Sequence, residues 1–337
     1  MTGRRQVAIL GAGSWGTALA VHLERIGHDV RLWARDARLV SEIVARRANA
    51  VYLPEIRLPD RIAVTAAIDE ALVDAELVVS AIPSHGCRVV MRLAAPHIDR
   101  NVPVVSATKG LEPDTLQRMS EVIGEELGRA HPVVALSGPS FAVEVAERLP
   151  TAVVVASTDA AAAALVQAEF RSPSFRLYAA SDVIGVEIGG AMKNVIAIAA
   201  GVVEGLGLGH NALAALITRG LAEVTRLACA AGGCRETMAG LSGLGDLVLT
   251  CTGALSRNRH VGIELARGRA LQDIVAGMKM VAEGVKTTGA GLALGERYGI
   301  ELPIATQMAA VLDGRSDVRS AVEALMLRRQ RAETENV

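Results

Sequence analysis

Short apolar runs alternate with amphipathic segments of helical length over the first half of the chain. The apolar runs 7–10 and 30–33 each precede an amphipathic segment. This alternation predicts βαβ units and a parallel sheet. Further strands are predicted at residues 77–82, 102–107, 133–136 and 152–156. Their continuous Val, Ile, Leu and Ala character is typical of strands that are buried on both faces. We therefore expect an α/β domain with a doubly wound, mostly parallel sheet over residues 1–182.

The pattern changes beyond Asp182, where the predicted strands cease. Ala, Leu and Gly recur at helical spacing over residues 183–205 and 211–231, which predicts an all-α domain over residues 183–330. No stretch rich in Pro, Gly and Ser separates the two halves, so we expect one long helix to lead from the sheet domain into the helical one. Residues 331–337 are polar and unpatterned, which is typical of a disordered tail.

Composition excludes several classes of protein. Lys and Arg total 35 against 36 Asp and Glu, so the overall charge offers nothing that attracts nucleic acid or an anionic membrane. Aromatic residues make up only 2%, which disfavours the base-stacking platforms of RNA-binding proteins. The cysteines form no Cys-x-x-Cys pair, so we expect neither a metal site nor a disulfide scaffold. No uninterrupted apolar run approaches the roughly 20 residues that span a bilayer, and the start leaves no room for a signal peptide. We expect a cytoplasmic protein without membrane insertion.

A Gly-x-Gly-x-x-Gly turn follows the first predicted strand and opens the first predicted helix. Its glycines are Gly11, Gly13 and Gly16. The first glycine permits the tight turn, the second lets the backbone approach a pyrophosphate, and the third lets helix and strand pack closely. The phosphates then meet unpaired amides at a helix N-terminus. The motif also occurs as a plain structural turn, but its context here predicts a Rossmann-like dinucleotide site.

Arg35 follows the second predicted strand, where NAD-specific proteins usually place an acidic residue for the ribose hydroxyls. A guanidinium there can pair with the 2′-phosphate of NADP. Two other interpretations stay open, because the adjacent Asp36 could reach a ribose and because an arginine can simply be solvated. We therefore expect NADP or NAD as the cofactor and leave the preference open.

Lys193 and Asn194 interrupt an otherwise apolar helical stretch. Burying a charge is costly unless it is paired or used, although a lysine can also snorkel from a buried helix. Three polar motifs accompany them, at residues 106–110, 137–142 and 256–258. The first two end predicted strands, where doubly wound folds collect ligands, and the third offers donors suited to a phosphate. Each motif alone has a structural explanation, but together they predict a pocket.

These motifs together resemble the bacterial NAD(P)-dependent glycerol-3-phosphate dehydrogenase family, from residue 7 to about residue 310. The Ser-Gly-Pro-Ser motif and the Ala-Met-Lys-Asn-Val helix are specific to that family rather than to dinucleotide folds in general. The resemblance implies reversible hydride transfer between NAD(P)H and dihydroxyacetone phosphate, giving sn-glycerol 3-phosphate. It also implies a role at the start of phospholipid synthesis.

The resemblance further implies roles for individual residues. Lys193 matches the catalytic lysine, which also contacts substrate, and Lys109 matches the lysine that contacts both cofactor and substrate. The other substrate positions are Gly138, Ser140, Asp246, Ser256, Arg257 and Asn258. The other cofactor positions are Ser14, Trp15, Arg35, Ala142, Arg257, Val281 and Glu283. We expect Lys193 to act as proton donor and acceptor, with a pKa lowered by partial burial and by a second cation.

Two other functions stay open on the residues alone. A ketopantoate reductase-like dehydrogenase shares the sheet-plus-helices plan and a helix-borne lysine, although the motif at 256–258 favours a phosphate-bearing substrate. A regulator that senses dinucleotides without turnover would need a basic stripe or a DNA-binding helix, which the near-neutral charge disfavours. Helical surfaces rich in Gly and Ala are compatible with a homodimer and equally with packing inside one subunit.

Overall fold

The computed structural model describes residues 3–128, 131–278, 280–330 and 332–333. Contacts divide the chain into two compact units. Unit 1 comprises Met1–Thr108 and Met119–Val183, and unit 2 comprises Lys109–Arg118 and Ile184–Val337. Of the predicted tail 331–337, only residues 332 and 333 are described, so most of that prediction lies outside the described residues.

Unit 1 alternates strands and helices. Its strands are β1 Gln6–Leu10, β2 Asp29–Trp33, β3 Ala48–Asn49, β4 Leu53–Arg57, β5 Ala63–Thr65, β6 Leu77–Ser80, β7 Val104–Ser106, β8 Val133–Ser137, β9 Thr151–Ala156 and β10 Phe175–Ala180. Its helices are α1 Ser14–Arg25, α2 Ala37–Arg46, α3 Ile68–Leu72, α4 Ser84–Ala94, α5 Met119–Leu127, α6 Ala142–Ala146 and α7 Ala160–Phe170. A short 3₁₀ turn over Ala95–His97 follows α4.

Eight strands form one sheet in the order β10-β9-β8-β7-β6-β1-β2-β5. All pairs are parallel except β8 with β9, which confirms the doubly wound, mostly parallel sheet. Strand β1 pairs with β2 on one side and β6 on the other, so the strand order reverses beside β1. Such a reversal opens a crevice at the carboxyl ends of the strands, where doubly wound folds bind ligands.

Apolar side chains cover both faces of this sheet. Val7 and Ile9 belong to one buried cluster, whereas the alternating Ala8 and Leu10 belong to another. This alternation explains why the central strands read as continuous apolar runs in the sequence. The strands that the sequence pattern missed are β3, β4, β5 and β10. Buried and exposed positions alternate over the first four residues of β10, and two exposed residues separate the buried positions of β4. Strands β3 and β5 are only two or three residues long, so none of the four forms a continuous apolar run.

Unit 2 is helical throughout its described residues, apart from one isolated bridge between Leu111 and Arg118. Its helices are α8 Val183–Gly205, α9 Gly209–Ala230, α10 Arg235–Ala239, α11 Asp246–Thr252, α12 Arg257–Ala266, α13 Leu271–Ala276, α14 Glu283–Tyr298, α15 Pro303–Leu312 and α16 Val318–Met326. A π turn over Leu241–Gly245 leads into α11. The two helical stretches predicted from spacing correspond to α8 and α9.

Helix α8 lies in the centre of unit 2. Over the described residues it is the one helix long and apolar enough to cross a bilayer by composition, with a mean hydropathy of 1.5. However, 94% of the 18-residue apolar stretch of α8 is buried inside the structure, as in the core helix of a soluble protein. Its close approach to α12 depends on small residues, since a Cβ on Gly201 would lie 1.9 Å from the Arg259 carbonyl oxygen.

The segment Lys109–Arg118 packs with unit 2 although it follows a strand of unit 1. Leu111 is buried among the α8 side chains of the unit 2 core, and Arg118 binds the Glu187 carboxylate of α8 at 2.7 Å. The sequence pattern predicts this segment as part of the domain over residues 1–182. Strand periodicity cannot reveal which hydrophobic core an irregular connection packs against. Its packing brings Lys109 into unit 2.

Candidate functional site

The glycine turn of unit 1 lies between β1 and α1, at the carboxyl end of β1. Gly11 has φ +112°, and a Cβ there would lie 2.7 Å from the Ala81 carbonyl oxygen. A Cβ on Gly16 would lie 1.9 Å from the Gly11 carbonyl oxygen. Gly11 and Gly16 are therefore required by the protein's own close packing. The strand-turn-helix context expected from the sequence is present.

Gly13 differs from the other two glycines of the turn. It has φ −74°, which any residue can adopt, and a Cβ there would meet no protein atom within 4 Å. The space that its missing side chain leaves is open, and it adjoins the N-terminus of the 12-residue helix α1. A backbone that another group can approach closely, beside the positive end of a helix, fits the pyrophosphate of a dinucleotide.

The remaining predicted cofactor residues of unit 1 occupy different parts of it. Ser14 and Trp15 form the first turn of α1, and Ser14 Oγ donates to the Tyr52 carbonyl oxygen at 2.7 Å. Arg35 is exposed, two residues beyond the end of β2. Its neighbour Asp36 caps α2 by accepting a hydrogen bond from Arg38 N at 2.9 Å.

The Ser-Gly-Pro-Ser motif follows β8, also at a carboxyl strand end. Gly138 has φ +130°, and a Cβ there would lie 3.0 Å from Val153 Cα, so the turn requires glycine. Ser140 Oγ donates to the Gly138 carbonyl oxygen at 2.9 Å, and Ala142 begins α6. The geometry explains the motif as a tight turn between strand and helix.

Unit 2 contains a buried charged cluster of Lys109, Lys193 and Asp246. Lys109 Nζ donates to Asp246 Oδ2 at 2.8 Å, and Lys193 Nζ donates to Asp246 Oδ1. The side chain of Asp246 is 1% exposed and that of Lys193 is 8% exposed. One carboxylate thus neutralises part of the charge of two lysines that come from different segments of the chain.

The cluster shifts the proton affinity of Lys193. Burial lowers its pKa to about 7; Asp246 opposes this shift and Lys109 adds to it. Burial disfavours the charged form of an amine, and a neighbouring cation acts in the same direction. The sequence-based expectation of a lowered pKa agrees with this geometry. Lys193 can therefore exist in both protonation states near neutral pH.

Thr250 is a member of the cluster that the sequence analysis missed. Lys193 Nζ donates to Thr250 Oγ1 at 2.9 Å, and Thr250 Oγ1 donates to the Asp246 carbonyl oxygen at 2.6 Å. Thr250 stands four residues after Asp246, so both lie on one face of α11. That spacing is the one signal that could have linked Thr250 to the site.

A chain of amides continues from the cluster. Asn194 Nδ2 lies 3.4 Å from the Lys109 carbonyl oxygen, and Asn258 Nδ2 donates to Asn194 Oδ1 at 2.9 Å. Asn258 Oδ1 in turn accepts from Gly284 N at 3.0 Å. Both asparagine side chains are buried. These contacts connect the segment of Lys109 with α8, α12 and the start of α14.

The N-terminus of α12 presents the Ser-Arg-Asn motif. Ser256 is the N-cap residue, and its Oγ accepts from Arg259 N at 3.2 Å. Arg257 is exposed and donates one guanidinium hydrogen to the Val281 carbonyl oxygen at 3.0 Å. Glu283 begins α14, two residues after Val281. A cation and free helix amides together make this end of α12 suitable for an anion.

The predicted site residues thus form groups within each unit. In unit 2, two hydrogen bonds link Lys109 and Lys193 to Asp246, and a separate hydrogen bond links Arg257 to Val281. Asn258 joins the first group through Asn194. In unit 1, the glycine turn, Arg35 and the 138–142 turn all follow carboxyl ends of strands in one sheet.

A doubly wound sheet with this glycine turn, together with a helical unit that buries a lysine of lowered pKa, defines the class of dinucleotide-dependent oxidoreductases with an all-helical second domain. The family comparison is more specific. The model of the NAD-dependent glycerol-3-phosphate dehydrogenase N-terminus matches residues 6–163, and that of its C-terminus matches residues 182–323. The chain belongs to the NAD-dependent glycerol-3-phosphate dehydrogenase family.

Individual relatives agree with this assignment. A glycerol-3-phosphate dehydrogenase [NAD(P)+] of Koribacter versatilis is 54% identical over 327 residues, which cover 96% of this chain and 97% of the relative. The crystal structure of glycerol-3-phosphate dehydrogenase from Coxiella burnetii superposes with a TM-score of 0.93 at 40% identity, covering 96% of this chain and 99% of that one.

The ketopantoate reductase-like alternative receives weaker support. A ketopantoate reductase from Ralstonia eutropha has a TM-score of 0.58 at 17% identity, covering 95% of this chain and 99% of that one, which is a likeness of fold alone. The two family models and the 54% identical relative favour glycerol-3-phosphate dehydrogenase over that alternative.

Proposed function

We propose that this chain is an NAD(P)-dependent sn-glycerol-3-phosphate dehydrogenase, which interconverts dihydroxyacetone phosphate and sn-glycerol 3-phosphate. The observation that carries this proposal is the buried Lys193, held by Asp246 and with its pKa lowered to about 7 by burial. Reversible conversion of a ketone into an alcohol needs a group that gives and takes a proton near neutral pH. Family membership supplies the substrate class.

Lys193 moves the proton in this proposal. In reduction its Nζ donates a proton to the substrate oxygen on which negative charge develops, and in oxidation the neutral amine accepts the hydroxyl proton. Asp246 and Thr250 orient Nζ through their hydrogen bonds. Lys109, bound to the other oxygen of Asp246, adds positive charge that stabilises the developing alkoxide.

The dinucleotide would be held by the glycine turn and the N-terminus of α1 in unit 1. When bound, its nicotinamide ring gives or takes the hydride. Gly13 supplies open backbone for the pyrophosphate, and the exposed Arg35 is available for a 2′-phosphate, so that both NADP and NAD are accepted. From the family resemblance we assign further cofactor contacts to Ser14, Trp15, Ala142, Val281 and Glu283.

The phosphate of the substrate would be bound by the N-terminus of α12. Arg257 offers charged donors there, and Asn258 uses its amide oxygen and one N–H within the described residues, leaving a second N–H for a ligand. The helix dipole adds to this attraction. Binding energy from the phosphate then helps to orient the reacting carbon. We assign Gly138, Ser140 and Ser256 to the substrate on the resemblance.

We further propose that the protein works in the cytoplasm, as the sequence leads us to expect. We also propose that it does not insert into a membrane, since the one long apolar helix among the described residues is buried in unit 2. A homodimer is compatible with the Gly- and Ala-rich helices, and sedimentation velocity measures this directly.

The test of the activity is the loss of NADPH absorbance when the purified protein meets dihydroxyacetone phosphate. Ketopantoate and a buffer blank serve as controls, and NADH replaces NADPH in a parallel series. We expect turnover with dihydroxyacetone phosphate and none above the blank with ketopantoate. Turnover with ketopantoate and not with dihydroxyacetone phosphate would identify the protein as a ketopantoate reductase. Binding of NADPH without turnover of either substrate would favour a dinucleotide sensor.

The pH profile of kcat/KM tests the role of Lys193. The reduction needs protonated Lys193, so its kcat/KM should fall as the pH rises through about 7. The oxidation needs the neutral amine, so its kcat/KM should rise through the same value. Profiles that move in the same direction for both reactions would contradict a single proton carrier.

A further inference from the structure

Asn49 is a fully buried polar residue that neither the sequence motifs nor the proposed chemistry includes. It ends β3, next to the glycine turn, and has 0% of its surface exposed. Its Nδ2 donates to the Ala12 carbonyl oxygen at 2.8 Å and to Thr17 Oγ1 at 2.9 Å. Its Oδ1 accepts from Tyr52 N at 3.2 Å. A buried amide with every group in use is a strong and specific contact.

The partners of Asn49 fix which way its amide points. A carbonyl oxygen such as that of Ala12 can only accept a hydrogen bond, and a backbone N–H such as that of Tyr52 can only donate one. Reversing the amide would place oxygen against oxygen and N–H against N–H. The side chain therefore holds a single orientation, in which both of its N–H groups are directed at the turn and at the first turn of α1.

This orientation determines the direction of a peptide group inside the glycine turn. Ala12 and Gly13 share one planar, trans peptide unit, in which the carbonyl and the N–H point in opposite directions. Because Asn49 holds the Ala12 carbonyl oxygen on its own side, the Gly13 N–H points away from Asn49. The described residues provide no hydrogen-bond partner for that N–H. Gly13 is also the glycine of the turn with open space around it.

A second contact fixes the same loop against the helix. Ser14 Oγ donates to the Tyr52 carbonyl oxygen at 2.7 Å, so residues 49–52 are tied to the turn at both ends. Gly and Ala at 11–13 provide no polar side chain of their own that could hold the turn. Its backbone direction consequently depends on a side chain 36 positions further along the chain from Gly13.

We propose that Asn49 is a positioning residue of the dinucleotide site, which aims the Gly13 N–H at the pyrophosphate of the cofactor. This inference rests on the proposed NAD(P) dependence. Without Asn49 the Ala12–Gly13 peptide can rotate, and the N–H is then no longer held in the direction in which a phosphate oxygen accepts it. The effect is on affinity for the dinucleotide and not on the proton transfer, because Asn49 belongs to unit 1 and the lysine cluster to unit 2.

Three variants test this role. Asn49→Asp keeps the size and the bond to Tyr52 N but loses both donors, and Asn49→Ala removes the amide without adding charge. Thr17→Val is the matched control, because it removes one buried hydrogen bond of Asn49 but leaves the bond to the Ala12 carbonyl oxygen intact. For each protein the dissociation constants of NADPH and ADP are measured by direct titration, together with kcat at saturating NADPH and the melting temperature.

We expect both Asn49 variants to weaken NADPH and ADP binding by about tenfold or more, as the loss of one or two buried hydrogen bonds implies. Their kcat at saturating NADPH should stay within about twofold of the wild type. Thr17→Val should change both dissociation constants by less than about threefold. This should hold even if its melting temperature falls as far as those of the Asn49 variants.

Unchanged dissociation constants in Asn49→Ala would overturn the proposal, whatever the result for Asn49→Asp. An equal weakening by Thr17→Val would also overturn it, because the effect would then come from general loosening of the helix start. If wild-type protein binds neither NADPH nor ADP, the proposed dinucleotide dependence itself fails. That result differs from the other two, which both require normal binding by the wild type.

Discussion

The candidate sites of the two units consist of different kinds of chemical group. The glycine turn of unit 1, residues 11–16, offers backbone groups, a helix end and open space, and none of its residues is charged. The site of unit 2 uses charged side chains, and two of them, Lys193 and Asp246, are almost completely buried. The turn depends on the conformation of its backbone and on the open space beside it. The charged cluster depends on buried charges that compensate one another.

This difference determines how each site fails. A backbone site is disturbed by an added methyl group or by a rotated peptide, and the loss appears in ligand affinity. A cluster of buried charges is disturbed by removal of one partner, which leaves the others uncompensated and changes their protonation. Substitutions in the two units should therefore separate binding of the dinucleotide from turnover.

The largest effect is expected for Lys193→Met, which keeps the length of the side chain and removes its proton. We expect kcat to fall by about 10²- to 10⁴-fold, the usual contribution of a general acid or base. The dissociation constant of NADPH, measured by titration, should stay within about twofold. Lys286→Met on the exposed face of α14 is the control and should retain full turnover. Near-normal kcat in Lys193→Met would remove Lys193 from the reaction.

Arg257→Ala should act mainly on binding of the phosphorylated substrate. The loss of charged hydrogen bonds predicts a KM for dihydroxyacetone phosphate that is about 10- to 100-fold higher, with a smaller change in kcat. Steady-state kinetics at saturating NADPH measure both. Arg267→Ala, near the other end of the same helix, is the control, since that arginine is exposed and pairs with Glu264. An unchanged KM in Arg257→Ala would mean that the phosphate binds elsewhere.

Gly13→Ala tests whether the open space in unit 1 belongs to a ligand. The new methyl group meets no protein atom within 4 Å and φ is ordinary, so the melting temperature should not fall. A pyrophosphate would collide with it, and we expect NADPH binding to weaken by about tenfold or more. Gly124→Ala in α5 also meets no atom and should leave the dissociation constant unchanged. Normal NADPH affinity in Gly13→Ala would show that the dinucleotide does not approach this glycine.

The smallest effect on either site is expected for Glu223→Gln, which concerns only the stability of unit 2. Glu223 accepts from Ile304 N and Ala305 N at the start of α15, and burial raises its pKa to about 7. Between its ordinary pKa of 4.5 and about 7, the unfolded state has lost this proton and the folded state keeps it. The protonated Glu223 therefore contributes its full share to the free energy of unfolding below pH 4.5. As the pH rises from 4.5 to about 7, the free energy of unfolding falls by about 1 kcal/mol per pH unit.

Denaturant unfolding across this pH range measures the effect. Glu223→Gln should flatten the pH dependence, and kcat and NADPH affinity should not change. Amide hydrogen exchange locates the change, which should appear in α15 and not in the strands of unit 1. A pH dependence that survives the substitution would assign it to other groups.

Much of the fold follows from local pattern. The continuous apolar runs and the glycine turn predicted β1, α1 and β2, because a short apolar run followed by this turn and an amphipathic segment is typical of a βαβ unit. The ranges predicted for later strands were too long at both ends for β7, where the structure has only Val104–Ser106. Strand β10 was missed because exposed positions such as Arg176 and Tyr178 interrupt its apolar residues.

The candidate residues could be named from the sequence, but their contacts with one another could not. Lys193 could be singled out because a charge in an apolar helix requires an explanation, and its motif resembled a known family. Nothing local predicted that Lys109, at the end of a unit 1 strand, packs in unit 2 and shares a carboxylate with Lys193. Thr250 and Asn49 were missed because a threonine or an asparagine in isolation has no pattern that distinguishes it.

By itself the sequence determined the central strands of unit 1, the glycine turn, helices α8 and α9 and the residue types available for chemistry. These depend on interactions between neighbours in the chain, which periodicity and turn preference express. Tertiary structure decided which charges meet, how deeply Lys193 is buried and therefore its pKa near 7, and which side chain orients the turn. These properties arise from desolvation and hydrogen bonding between residues up to 137 positions apart, as between Lys109 and Asp246, and no local pattern records them.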